Sequence, residues 1–213
     1  MQNKTTKFHP ILFSIAMVQA IQEGRKTQTR RSVKYPLKLK GWHVSIGEGE
    51  TPPPLEFCPY KVGDVLWARE TFRKVSHYGF EDSFIEYKSG GNNAHCTIVD
   101  EDQIIPVDKW KPSIHMSKEY ARIFLKIKSI RVERLQQISE NDAQKEGAKD
   151  RLKHSEMKEL EGLGDWIIPR PFQNHQFGFL SVWCSIYGCE NWLANPFVWV
   201  YEFEKIEKPL DFI

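Results

Sequence analysis

Little in this 213-residue chain advertises a chemistry by abundance. Its four cysteines, Cys58, Cys96, Cys184 and Cys189, show no C-x-x-C spacing, so neither a zinc ribbon nor a disulfide framework is indicated. Free thiols in a reducing cytoplasm are the expectation. The 30 Lys and Arg against 28 Asp and Glu leave a formal charge of only +2, so any contact with a polyanion has to come from local clustering. No apolar run approaches the ~18 residues that a membrane span requires. The start, "MQNKTTKFHPILFSIAMVQ", carries two lysines before a short apolar stretch and no small-residue cleavage signal. A cytoplasmic protein without a membrane partner is expected. There is no phosphate loop or dinucleotide fingerprint, which excludes a Rossmann reading. The seven histidines have no H-x-x-x-H or comparable ligand spacing, so no metal and no other cofactor is expected. Neither an internal repeat nor a low-complexity tract is present.

What is there is a chain with 40% hydrophobic and 27% charged residues, enough to bury a proper core. "ILFSIAMVQAIQEG" reads as strand, then a short helix through Met17, Ala20 and Ile21, stopped by Gly24. From Lys26 the alternation of Thr27, Thr29 and Arg31 against Gln28 and Arg30 predicts a polar strand. "GDVLWARETF" predicts a turn feeding a strand, and "SFIEYK" with "CTIVDEDQIIPV" predicts hairpin strands around "SGGNNAH". "ARIFLKIKSIRVERL" carries the clearest period-two signal. In "ISENDAQKEGA", Ser139 is placed as an N-cap and Gly147 as a helix terminator. "HQFGFLSVWCSIYG" returns to helical spacing. In the closing "NPFVWVYEFEKI", Phe197, Trp199, Tyr201 and Phe203 share a strand face that reads as core rather than as a stacking platform. Short helices, many strands and irregular excursions predict a mostly β, α+β fold, a small closed or half-closed barrel with helices at its mouth.

The stretch "EGRKTQTRRSVKYPLKL" concentrates Arg25, Lys26, Arg30, Arg31, Lys34 and Lys38 behind one carboxylate. It reads either as a charge-protected edge or as a surface that neutralises phosphates. Lys26 and Thr29 form a more specific pair. A partly desolvated lysine amine takes the proton of a threonine hydroxyl, and the alkoxide attacks a carbonyl carbon. Residues three apart on an ideal strand face opposite ways, so the pair meets only where Lys26 lies on the turn or in a bulge. An amine leaving group also needs a carboxylic acid, and Glu146, Glu70 and Glu133 are the available candidates. "WKPSIHM" is expected to follow an extended, exposed path after Pro112. His115 there either touches a substrate edge or is structural.

The blocks "ILFS..MVQAIQEGRKTQTRR", "GDVLWARETF", "KWKPSIHM", "RIFLKIKSIRVERLQQISENDAQKEG" and "WLANPFVWVYEFE", in this order, resemble the ASCH-domain family in its longer bacterial and phage branch. The resemblance spans about residues 10 to 204. It implies a single domain over 1–213 with a PUA-like β-barrel, a cleft between barrel and helix, and insertions near 36–60, 76–108 and 149–172. Small relatives include amidohydrolases that remove the acetyl group of N4-acetylcytidine with a lysine, a threonine and a glutamate. Carried onto this chain, those roles fall on Lys26, Thr29 and Glu146, with Arg25, Thr27, Arg31, Arg69, Glu70, Ser113 and His115 as substrate-binding candidates. The expected partner is a nucleoside or nucleic acid, RNA before DNA. The alternative is a PUA-type module that binds RNA or modified DNA without chemistry, and a third reading makes the barrel a scaffold for a protein partner.

Overall fold

The computed structural model describes residues 6–35, 37–39, 42–44, 51–77, 83–90, 104–106, 109–149 and 174–212. The protein is α+β, with more strand than helix. In hydrogen-bonded order the main sheet runs β1 (Phe8–Leu12), β5 (Val65–Arg69), β9 (Phe124–Arg134), β10 (Phe197–Ile206) and β2 (Gln28–Ser32). A two-stranded sheet pairs β3 (Leu37–Leu39) with β4 (Trp42–Val44), and a three-stranded sheet has β6 (Phe72–His77) between β7 (Ser83–Tyr87) and β8 (Ile104–Pro106). Among the described residues these sheets do not close on themselves, because β1 and β2 end the main sheet as edges. The expected hairpin of "SFIEYK" with "CTIVDEDQIIPV" is also corrected. Both β7 and β8 pair with β6, whose Phe72 and Val75 are buried and mark it as a central strand. Among the described residues no helix is long and apolar enough to cross a membrane.

The chain divides into two compact units, each built from separated segments: Met1–Glu23, Gly63–Ile127 and Glu204–Ile213 in the first, Gly24–Val62 and Lys128–Phe203 in the second. In the first, α1 (Ile15–Gln22) begins where Ser14 Oγ accepts from the Met17 amide. Val18, Ala20 and Ile21 are its buried face, so Val18 takes the place expected of Met17. β5 pairs parallel to β1 and antiparallel to β9, with Leu66 opposite Leu125. Its Val65 to Ala68 are all buried, as in a strand covered on both faces. Phe212 is the hub of this unit's core, with ring centroids 4.8 Å from Phe124, 5.1 Å from Phe8 and 6.2 Å from Trp67.

In the second unit β2 pairs antiparallel with β10, and the register sets Thr29 against Tyr201 and Arg30 against Val200. α2 (Glu140–Lys145), α3 (Asn174–Tyr187) and α4 (Cys189–Leu193) complete it. Leu135, Ile138, Ala143, Phe179, Leu180, Trp183 and Trp192 pack with Val198 and Val200 into one apolar cluster. Phe197, Trp199, Tyr201 and Phe203 are buried on the alternate face of β10, so this strand too is covered on both sides. The insertion expected at 149–172 lies outside the described residues apart from Lys149, and those near 36–60 and 76–108 lie partly outside.

Candidate functional site

The second unit brings Lys26 and Glu146 together from 120 residues apart. Lys26 precedes β2 and pairs with Glu146 through an isolated antiparallel bridge. The backbone continues that pairing, as the Thr27 amide donates to Lys145 O at 2.8 Å and the Phe203 amide to Thr27 O at 2.9 Å. α2 starts at Ser139, whose hydroxyl accepts from the Asp142 amide. It ends at Glu146, the last residue before Gly147 takes a φ of 77°, a value glycine adopts without strain. The Glu146 side chain at this helix end is buried.

The resulting geometry is a buried ion pair with additional partners. Lys26 Nζ donates to Glu146 Oε2 and to the Glu146 carbonyl, both at 2.8 Å. The two side chains are 0% and 5% exposed, so water screens this pair little. The other carboxylate oxygen, Oε1, accepts from Arg30 Nη1 at 3.0 Å. Arg30 is itself buried; its Nε donates to Glu133 at 3.0 Å, its Nη2 reaches Glu133 and also Asp142 at 3.3 Å, and its guanidinium lies 5.7 Å from the centre of the Phe179 ring. Arg131 extends the network to Glu133, Asp142 and Glu202 at 3.1, 3.0 and 3.2 Å. Gln28 fits between them, donating to Asp142 and Glu202 at 3.2 Å when its oxygen faces Arg30 Nη1.

Burial holds the Lys26 amine below the usual lysine range, although the Glu146 carboxylate pulls the other way. Burial would raise Asp142, but Arg131 and Arg30 outweigh it and the carboxyl sits below its ordinary value. Arg131 shows the reciprocal effect: burial opposes its charge, while Glu133, Asp142 and Glu202 raise its pKa.

The alternate face of β2 is different in character. Thr29 is buried opposite Tyr201. The Tyr201 hydroxyl meets Cys58 Sγ at 3.4 Å, and its ring lies 5.1 Å from that of Tyr60. Burial raises the pKa of both phenols, while the Arg31 charge acts to lower them. Arg31 is half-buried and donates to the Tyr187 hydroxyl at 3.4 Å.

The remaining candidates are placed as follows. Arg25 and Thr27 are exposed, and Arg25 donates to Gly147 O at 3.2 Å. Arg69, Glu70, Ser113 and His115 belong to the first unit. Arg69 Nε donates to Met116 O at 3.1 Å, and buried Glu70 accepts from Arg122 at 3.0 and 2.8 Å and from Ser89 Oγ at 2.5 Å. Ser113 and His115 form a 3-10 turn after Pro112, where an extended path was expected; His115 is exposed and Ser113 half-buried. Of the six cations proposed as a phosphate surface, Lys26 and Arg30 are buried and committed to carboxylates, whereas Arg25 and Lys34 are exposed.

Sequence reasoning passed over the Arg30–Glu133–Arg131–Asp142 network. A signal for it existed in the period-two charges of "QTR" (28–30) and "RVE" (131–133), which put Gln28 with Arg30, and Arg131 with Glu133, on single strand faces. Among the described residues no group of three His, Cys, Asp or Glu side chains is arranged to hold a metal. No family model, no curated protein and no solved structure matches this chain.

Proposed function

We propose that the second unit is the catalytic part of an ASCH-like, PUA-related protein that binds a cytidine-type nucleoside and hydrolyses an acyl amide on its N4. The observation that carries this reading is the buried Lys26–Glu146 pair, joined at 2.8 Å beside the strand that holds Thr29. Its physical merit is the position of one proton. In the resting pair Lys26 is an ammonium and Glu146 a carboxylate. Desolvation lowers the lysine pKa, so the Lys26 amine gives up its proton more readily here than in water. The transfer gives a neutral amine, a base for Thr29 Oγ, and a glutamic acid able to protonate a leaving amine.

The two half-reactions then balance. Lys26 lies in the isolated bridge before β2 and not in its regular alternation, which is the condition for it to meet Thr29 on the other face. It takes the Thr29 proton, Oγ bonds to the acyl carbon, the C–N bond breaks, and Glu146 protonates the departing N4. This leaves an acyl ester on Thr29, free cytidine, and the original ion pair. A second transfer within the pair prepares hydrolysis. Water gives its proton to Lys26 and attacks the ester, and Glu146 protonates Thr29 Oγ. Arg30 and Arg31 act through charge, Arg30 by holding Glu146 Oε1 and Arg31 by steering the ligand. The test is incubation of the purified protein with N4-acetylcytidine and chromatographic detection of cytidine. No cytidine, with a small amidohydrolase active in the same buffer, overturns the enzymatic reading.

A second reading is favoured by a specific observation: Lys26 Nζ and both Glu146 carboxylate oxygens are already engaged by internal partners. A network so satisfied serves equally as the rigid floor of a module that binds RNA without turnover. That module binds oligonucleotides with an affinity that falls with salt, and salt-insensitive binding or none refutes it.

A further inference from the structure

Cys184 and Cys189 are five residues apart in sequence, yet they occupy the two sides of one corner. Cys184 lies in the last turn of α3, and Cys189 is the first residue of α4. Gly188 makes the corner. Its amide donates to Cys184 O at 2.9 Å, closing the helical turn, and its φ of 81° with ψ of 150° then reverses the chain. Few side-chain-bearing residues tolerate that conformation. The corner is braced from within by Trp183 Nε1, which donates to Asn191 Oδ1 at 3.0 Å. The corner sets Cys184 at the end of one helix and Cys189 at the start of the next, close enough for the Cys189 side chain to act on the Cys184 thiol. Both are free thiols and both are partly exposed, unlike Cys58, which is buried against the Tyr201 hydroxyl.

We propose that Cys184 and Cys189 are a redox modification site, a dithiol that a small hydroperoxide converts reversibly to a disulfide. The assignment of roles follows from their surroundings. Burial and the contact with Cys189 push the Cys184 thiol up to about 12, so Cys184 keeps its proton and acts second. Cys189 gives up its proton and its sulfur attacks the peroxide oxygen. The O–O bond breaks, and the products are a sulfenic acid on Cys189 and, after protonation, one molecule of water or alcohol. Cys184 then attacks the sulfenic sulfur, its proton leaves with the hydroxyl as water, and the S–S bond forms. Two thiols are oxidised and one hydroperoxide is reduced. Thiol reductants reverse the step by exchange. Tyr187 directly precedes Gly188 in this corner, and its hydroxyl accepts from Arg31.

The experiment treats the native protein with hydrogen peroxide, alkylates the remaining thiols, and reads intact mass and peptide maps. The expected result is loss of two hydrogens, a peptide cross-link between Cys184 and Cys189, and full reversal by dithiothreitol. In Cys184→Ser the reaction stops at the first stage, and dimedone labels Cys189 as the sulfenic acid; in Cys189→Ser peroxide produces no cross-link. Both thiols remaining alkylatable in the wild type, or passing to sulfinic acid without a cross-link, overturns the proposal, as does a disulfide between other cysteines.

Discussion

Replacing Glu146 by glutamine tests the buried pair most directly. The substitution keeps volume and one acceptor oxygen but removes the negative charge that Lys26 and Arg30 share. Arg30 retains Glu133 and Asp142, so the loss falls on Lys26, whose amine meets a neutral amide in place of its counter-charge. Breaking a buried pair by removing one partner costs about 3–5 kcal/mol. The retained acceptor places this case at about 3 kcal/mol, which for a chain of this length lowers the melting midpoint by about 6–12 °C.

The pH dependence has a definite sign. The folded-state pKa of Lys26 lies below 10.5, so between that value and 10.5 the unfolded chain binds more protons. Stability therefore rises with pH across the window, and below it the cost of burying the ammonium is fully present. Removing Glu146 lowers the lysine pKa further. The gap between wild type and Glu146→Gln is widest below the variant's own Lys26 value, narrows as pH rises from there to the wild-type value, and stays constant above it. Denaturant unfolding from pH 6 to 10.5 reads both quantities. A gap below about 0.5 kcal/mol at every pH, the size of an ordinary surface substitution, refutes the argument that this pair is a buried ionic contact.

Four further outcomes follow from the same geometry. Thr29→Val removes the hydroxyl from a buried position and abolishes cytidine release from N4-acetylcytidine, while circular dichroism and denaturant midpoint show a folded protein; release at the wild-type rate removes Thr29 from the mechanism. Arg30→Met leaves Glu133, Asp142 and Glu146 without their shared counter-ion and costs about 3–5 kcal/mol in denaturant unfolding. Trp192→Ala empties the fully buried centre of the second unit's core at a cost of about 3–5 kcal/mol by the same measurement. If the protein binds single-stranded RNA through its exposed cations, Arg25→Ala with Lys34→Ala reduces the magnitude of the log–log salt slope by about 1.4, two contacts at about 0.7 each; fluorescence anisotropy across a salt series checks it.

The sequence by itself determined what depends on near neighbours. Ser139 and Gly147 delimited α2 because a cap needs only a side-chain oxygen three residues from an amide, and a terminator needs only a residue that accepts positive φ. The strands β2, β9 and β10 were legible from period-two patterning, since alternation is a property of one extended segment. The order in which strands pair was decided by tertiary structure: β6 between β7 and β8 satisfies two rows of backbone groups, and nothing in "SFIEYK" records which neighbour supplies its partners. The site divides in the same way. Its residue types were visible in the basic stretch and in "ISENDAQKEG", but charge in a sequence does not distinguish a cation in water from one that is buried. Lys34 and Arg30 look alike in the chain, and one is exposed while the other is enclosed by three carboxylates from 103, 112 and 116 residues away. Only the folded chain brings those carboxylates to Arg30, because the desolvation of a buried guanidinium is offset by partners that long-range packing supplies.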